Sequence, residues 1–179
     1  MMNFISSDSL FFQPFFFSLY TFFPVNMKTA LAITRTLSRR YYPLHPEEQE
    51  ALASIMECRR VDKGELLLEE GRIARHFHYV ESGMLRQYYY KNGHDITEHF
   101  SCEDDLVFCI ISLFRQEPTR LMTEAIEPTV VYDIPYTGLQ ELFVSYSSIA
   151  QLYKKILEWG LMVSVSYTHL RAHETDQYL

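Results

Sequence analysis

VDKGELLLEEGRIARHFHYVESGMLRQYYYKNGHDITEHFS, residues 61–101, decides the fold. Gly64, Gly71, Gly83 and Gly93 interrupt it at intervals of seven to twelve residues, the rhythm of short antiparallel strands joined by tight corners. The clearest hairpin is MLRQYYYK, then Asn92-Gly93, then HDITEHFS, because Asn-Gly supplies the two positive φ angles of a type I′ turn. Downstream, TRLMTEAIEPTVVYDIP (119–135) adds two strands apolar enough to be half or wholly buried. The middle of the chain therefore reads as an all-β roll or barrel.

Helical patterns flank it. HPEEQEALASIM (45–56) has a proline at its start, acids in its first turn, and Leu52, Ile55 and Met56 on one side. TGLQELFVSY (137–146) is short and amphipathic. SSIAQLYKKILEWGLMV (147–163) is longer, with a serine for its N-cap and Ile149, Leu152, Ile156, Trp159 and Val163 at spacings of three and four. That stripe serves either packing on the β core or pairing with a second copy.

Composition bounds the function. At 179 residues and 47% apolar, the chain can bury one full-sized core. A net charge of -7 lacks the basic footprint of a free-standing nucleic-acid binder, so DNA contact must come from another segment. Cys58, Cys102 and Cys109 are odd in number and form no CxxC pair, which argues against a disulfide framework, a zinc knuckle or a cysteine-ligated cluster and fits a reducing cytoplasm. The aromatic run from Leu10 to Val25 carries two prolines, is short for a membrane span and lacks the flanks of a secretory signal. Met27 is the expected start, with residues 1–26 as translated upstream DNA or a leader outside the fold.

The order of parts resembles the effector domain of the catabolite-activator and fumarate–nitrate regulator family of bacterial transcription factors. The resemblance runs from about Tyr42 to Val163. It rests on Lys63-Gly64-Glu65 through Glu70-Gly71, on Val80-Glu81-Ser82-Gly83 with Arg86, and on the hairpin ending Glu98-His99-Phe100. It implies an α+β fold, a cyclic-nucleotide-binding-like antiparallel jelly roll over 27–145, flanked by an N-terminal helix and a long C-terminal dimerisation helix over 146–164. It further implies a small-molecule effector in the roll, a homodimer, no membrane, and a helix-turn-helix that reads DNA.

Family members that bind cyclic nucleotides hold the phosphate with Gly-Glu-Leu on a short helix, followed by Arg-Ser or Arg-Thr. Here Phe108-Cys109-Ile110 stands at Gly-Glu-Leu, and Thr119 at the arginine, with Arg120 one place later. Phe108 denies the close backbone approach of glycine, and Cys109 cannot accept ribose hydroxyls as a carboxylate does. The expected ligand is therefore not classical cyclic AMP, and the candidate ligand residues are Arg86, Phe108, Cys109, Ile110, Thr119 and Arg120.

A metal enzyme is the alternative. His76-Phe77-His78 followed by Glu81 resembles part of the HxH…E motif of cupins, and the two histidines share a strand face. Parity puts Glu81 on the other face, and His76 and His78 read more simply as wet-face residues before the Ser82-Gly83 turn. His169 and His173, beside Glu174, also have metal-sharing spacing. However, VSYTHLRAHET (165–175) resembles one reading frame of a sequencing-library transposase adapter, so residues 165–179 are expected to be adapter read-through. The expectation is thus a sensing and dimerisation part whose helix-turn-helix is missing, with no catalytic residue and no metal.

Overall fold

The computed structural model describes residues 27–175, with side chains described over 29–162, so the leader expected at 1–26 lies outside the described residues. α1 (Met27–Arg40) is additional to the expected helices. Its Ala30, Ile33, Thr34 and Leu37 recur at three and four and are buried, while Arg35, Arg39 and Arg40 face outward. α2 (Pro46–Ser54) starts with proline in its first turn, and Glu48 accepts a 2.7 Å hydrogen bond from the His45 backbone N–H.

The roll follows as β1 (Glu57–Val61), β2 (Leu66–Leu68), β3 (His76–Ser82), β4 (Leu85–Lys91), β5 (His94–Ser101), β6 (Leu106–Val107), α3 (Ile110–Arg115), β7 (Met122–Ala125) and β8 (Thr129–Pro135). Two four-stranded antiparallel sheets result, in the orders β1-β8-β3-β6 and β2-β7-β4-β5. Asn92 and Gly93 hold φ of 54° and 81° at the β4–β5 turn, as the Asn-Gly pair predicts. At the β3–β4 corner Gly83 has φ 91°, and a Cβ there would lie 2.6 Å from Thr129 Oγ1 and 2.8 Å from the Pro128 carbonyl. The start of β8 thus runs against bare backbone.

The roll has two cores. Val61, Val80, Leu85, Val107, Ala125 and Val131 close its inside at one end. The other face of the first sheet carries Phe77, Tyr79, Tyr132 and Ile134 into a larger core shared with the helices. Strand β3 is consequently buried on both faces, which is why its pattern is a run and not an alternation.

α4 (Tyr136–Ser145) and α5 (Ser147–Thr175) complete the fold. Ile149, Leu152 and Ile156 are 0%, 0% and 1% exposed and belong to the helix-side core. Their role as dimerisation residues is corrected: the stripe is used inside one chain, each side chain contributing about 1.5–3 kcal/mol of burial. It leaves the core at Trp159, which is 47% exposed beside exposed Leu161 and Met162. The Val163 side chain, and those of His169, His173 and Glu174, lie outside the described residues.

One link ties the ends of the fold together. Tyr79 donates its hydroxyl proton to Asp104 in the β5–β6 turn, Arg40 donates to the Asp104 carbonyl at 2.9 Å, and the Arg40 guanidinium lies 5.9 Å from the Trp159 ring centre. Among the described residues no helix is long and apolar enough to cross a membrane.

Candidate ligand cavity

Next to its apolar core the roll holds a cavity of about 140 Å³. Apolar side chains form most of its wall, among them Leu68, Ile73, Ala74 and Phe108, and Arg75, His76, His78 and Thr123 supply the polar part. The expectation that these histidines sit on a wet face is corrected, since His78 is 6% exposed and His76 is half-buried. Strand parity places them on one face; the second sheet closes over that face.

His78 is held from behind. Register pairs His78 with Asp133 of β8, and Nδ1 lies 2.6 Å from Oδ1. Arg59 of β1 places Nε 3.1 Å from the other carboxylate oxygen, an ion pair without the alignment of a hydrogen bond. Burial alone would push the Asp133 carboxyl up, but the His78 hydrogen bond and the electrostatic attraction of His78, Arg59 and His76 outweigh it and hold the group below the usual carboxylate range. Burial also lowers the His76 imidazole, opposed by attraction to Asp133.

Of the six candidate ligand residues, two line the cavity, and Ile110 and Thr119 stand next to these without lining it. Phe108 and Cys109 line it, and Cys109 Sγ lies 3.3 Å from the buried Thr119 hydroxyl. Ile110 begins the six-residue α3, whose N-cap, Cys109, makes no side-chain capping bond. Thr119 is otherwise tied into its own turn, accepting from the Leu121 N–H at 2.8 Å. The two arginines stand elsewhere. Arg120 is exposed, on the opposite side to Thr119. Arg86 sits on the outer face of the second sheet, 3.2 Å from Asp95 and 3.1 Å from Glu124, and 4.0 Å over the Tyr88 ring. Its placement as a cavity residue is corrected, because two carboxylates and a ring already engage it.

His78, Asp133 and Arg59 were outside the expected ligand set. The signal available was an acid inside TVVYDIP, an otherwise apolar strand, which demands a buried partner.

Phe108 also links the cavity to α5. Its ring packs 4.9 Å from that of Phe77, and a Cβ added at Gly160 would lie 3.1 Å from its Cζ. Among the described residues no three His, Cys, Asp or Glu side chains come together as a metal site, so His76 and His78 have no third ligand there.

Residues 58–146 match the family model described as the cyclic nucleotide-binding domain. No curated protein matches the chain in sequence. The structure is similar to that of the Thermus thermophilus catabolite activator protein, at 20% identity and a TM-score of 0.62, covering 76% of this chain and 62% of that one. It is similar also to the sensor domain of the transcriptional regulator DNR from Pseudomonas aeruginosa, at 17% identity, TM-score 0.59, covering 86% of this chain and 95% of that one. A third similar structure is the N-terminal domain of a transcriptional regulator from Streptomyces coelicolor A3(2), at 17% identity, TM-score 0.59, covering 72% and 94%. The chain thus spans 62% of the Thermus activator's length. By its jelly-roll fold, and by the family match over residues 58–146, the chain is similar to cyclic nucleotide-binding domains.

Proposed function

We propose that this domain is the effector-sensing part of a DNA-binding transcriptional regulator, that it acts as a homodimer in the cytoplasm, and that its effector is not cyclic AMP. DNA contact is made by a segment other than the domain itself, whose chain carries a net charge of -7. The observation that carries the reading is the position of Phe108, with one side on the cavity and the other on Gly160 of α5. An effector that displaces this ring changes the seat of the helix, so cavity occupancy and helix position form one equilibrium. Exposed Trp159, Leu161 and Met162, where the apolar stripe leaves the core, support pairing of two copies through the end of α5.

Against cyclic AMP stands the 140 Å³ volume, well under the roughly 300 Å³ at which pockets for larger ligands begin. Arg75 lines the cavity but is exposed. Chromatin immunoprecipitation of the tagged protein, expressed from its own locus, is the test: discrete promoter sites are expected, and a profile indistinguishable from an untagged strain refutes the regulator reading. The family match favours a second reading, cyclic-nucleotide binding, and calorimetric titration with cyclic AMP decides it. Micromolar binding would replace the first ligand assignment.

A further inference from the structure

We propose that the cavity takes a compact uncharged molecule of about benzene's size carrying one O–H or N–H donor, which donates to Nε2 of His78. The proposal rests on the reading of the roll as an effector sensor and names the ligand class for it.

Size comes first. The volume of 140 Å³ is close to the roughly 150 Å³ of an engineered apolar cavity that accepts benzene. The wall formed by Leu68, Ile73, Ala74 and Phe108 suits a flat apolar body of that size.

Polarity comes second. Asp133 is ionised, and a carboxylate only accepts hydrogen bonds, so at 2.6 Å it requires the proton on Nδ1 of His78. A ring carrying one proton then presents Nε2 as a lone pair. Nε2 makes no hydrogen bond among the described residues, although the His78 side chain is only 8% exposed. Of the other polar groups of the wall, the Thr123 hydroxyl accepts from Gln87 at 3.4 Å and the Cys109 thiol meets Thr119 at 3.3 Å, while Arg75 is exposed and His76 half-buried. What the His78 lone pair lacks is a donor, and that is what the ligand brings.

Charge comes third. The Asp133 carboxylate directly behind His78 opposes an anion at that end of the cavity, while Arg59 on its far oxygen and Arg75 at the exposed part of the wall partly offset that field. An uncharged donor at His78 avoids that opposition.

The test is calorimetric titration of the whole chain with four probes: phenol, toluene, benzoate and cyclic AMP. Phenol is expected to bind about tenfold more tightly than toluene, 1.4 kcal/mol and within reach of one neutral hydrogen bond, and benzoate more weakly than either. His78→Phe is expected to bring phenol down to the affinity of toluene while toluene binding persists, an outcome that a collapsed cavity would not give. In the unmodified protein, long-range ¹H–¹⁵N spectra of the imidazoles should show phenol, and not toluene, shifting His78 Nε2; this readout stands if the variant fails to fold. Equal affinity for phenol and toluene, preference for benzoate or cyclic AMP, or binding of none of the four overturns the proposal. None of these results depends on promoter occupancy. Failure of the probes leaves the regulator reading intact, and a flat chromatin profile leaves the phenol result intact.

Discussion

Gly83→Ala should be far more costly than Gly93→Ala, although both glycines hold φ near +85°, at +91° and +81°. A Cβ at positive φ costs about 1–2 kcal/mol through contact with the following carbonyl, and both variants carry that cost. At Gly93 nothing else lies within 4 Å of the new carbon, so nothing is added. At Gly83 the new carbon falls 2.6 Å from Thr129 Oγ1, 2.8 Å from the Pro128 carbonyl and 2.9 Å from Thr129 Cα. Two of those atoms are backbone. The third is held in place, since the Thr129 hydroxyl accepts from the Met84 N–H at 3.2 Å and donates toward the Glu127 carbonyl at 2.8 Å. Relief requires β8 to shift at its first residue or those bonds to break, an overpacking cost of about 1–3 kcal/mol. The expected totals are about 1–2 kcal/mol for Gly93→Ala and about 2–5 kcal/mol for Gly83→Ala. Urea denaturation followed by far-UV circular dichroism measures both, with Trp159, the single tryptophan, as a second probe. Equal losses would refute the close approach of β8 to the β3–β4 corner.

Asp133→Ala leaves His78 without its acceptor and Arg59 without its counter-charge, and should cost about 2–3 kcal/mol, below the usual range for a broken buried pair because the Arg59 side chain is 37% exposed; a loss under about 0.5 kcal/mol in urea denaturation would contradict the arrangement. Stability should fall as pH drops from the ordinary imidazole value of 6.5, because burial lowers His76 in the folded state and the unfolded chain binds the proton first; His76→Gln should flatten that step in a pH series of melts. A second decline follows below the ordinary carboxylate value of 3.8, as the lowered Asp133 is finally protonated. Leu152→Ala should cost about 2–5 kcal/mol at any protein concentration. Trp159→Ala should cost under about 1 kcal/mol of monomer stability while weakening self-association in sedimentation velocity, and the reverse ranking would restore Leu152 to a dimer interface.

The roll was legible because its corners are written locally. Gly83, and Gly93 after Asn92, sit where positive φ is required, and the strand lengths follow from their spacing. Phe108 and Cys109 were legible as cavity residues through resemblance, since the segment before α3 keeps its place in the chain. The faces were harder. Arg86 alternates correctly with its neighbours, but alternation does not say which face of β4 is inside. His78 was misjudged for the same reason, and more severely, because β3 is buried on both sides and no polar face marks the exterior. Its partner Asp133 lies 55 residues away and reaches it only through the register of β3 against β8. The stripe on α5 had the right residues and two compatible partners; only the burial of Ile149, Leu152 and Ile156 in one core with Phe77 and Ile134 selects between them.

The contact between Phe108 and Gly160 sets a direction on what can pass through it. An aromatic ring resting on bare backbone has no side chain to interlock with, so the pair resists compression steeply and holds little in tension, the shape of any contact between atoms at van der Waals distance. Such a joint behaves as a pushrod. On the proposed sensor reading, a molecule that crowds the ring would drive α5 outward, whereas emptying the cavity would draw nothing back, and the return stroke would be left to the core that grips Ile149, Leu152 and Ile156.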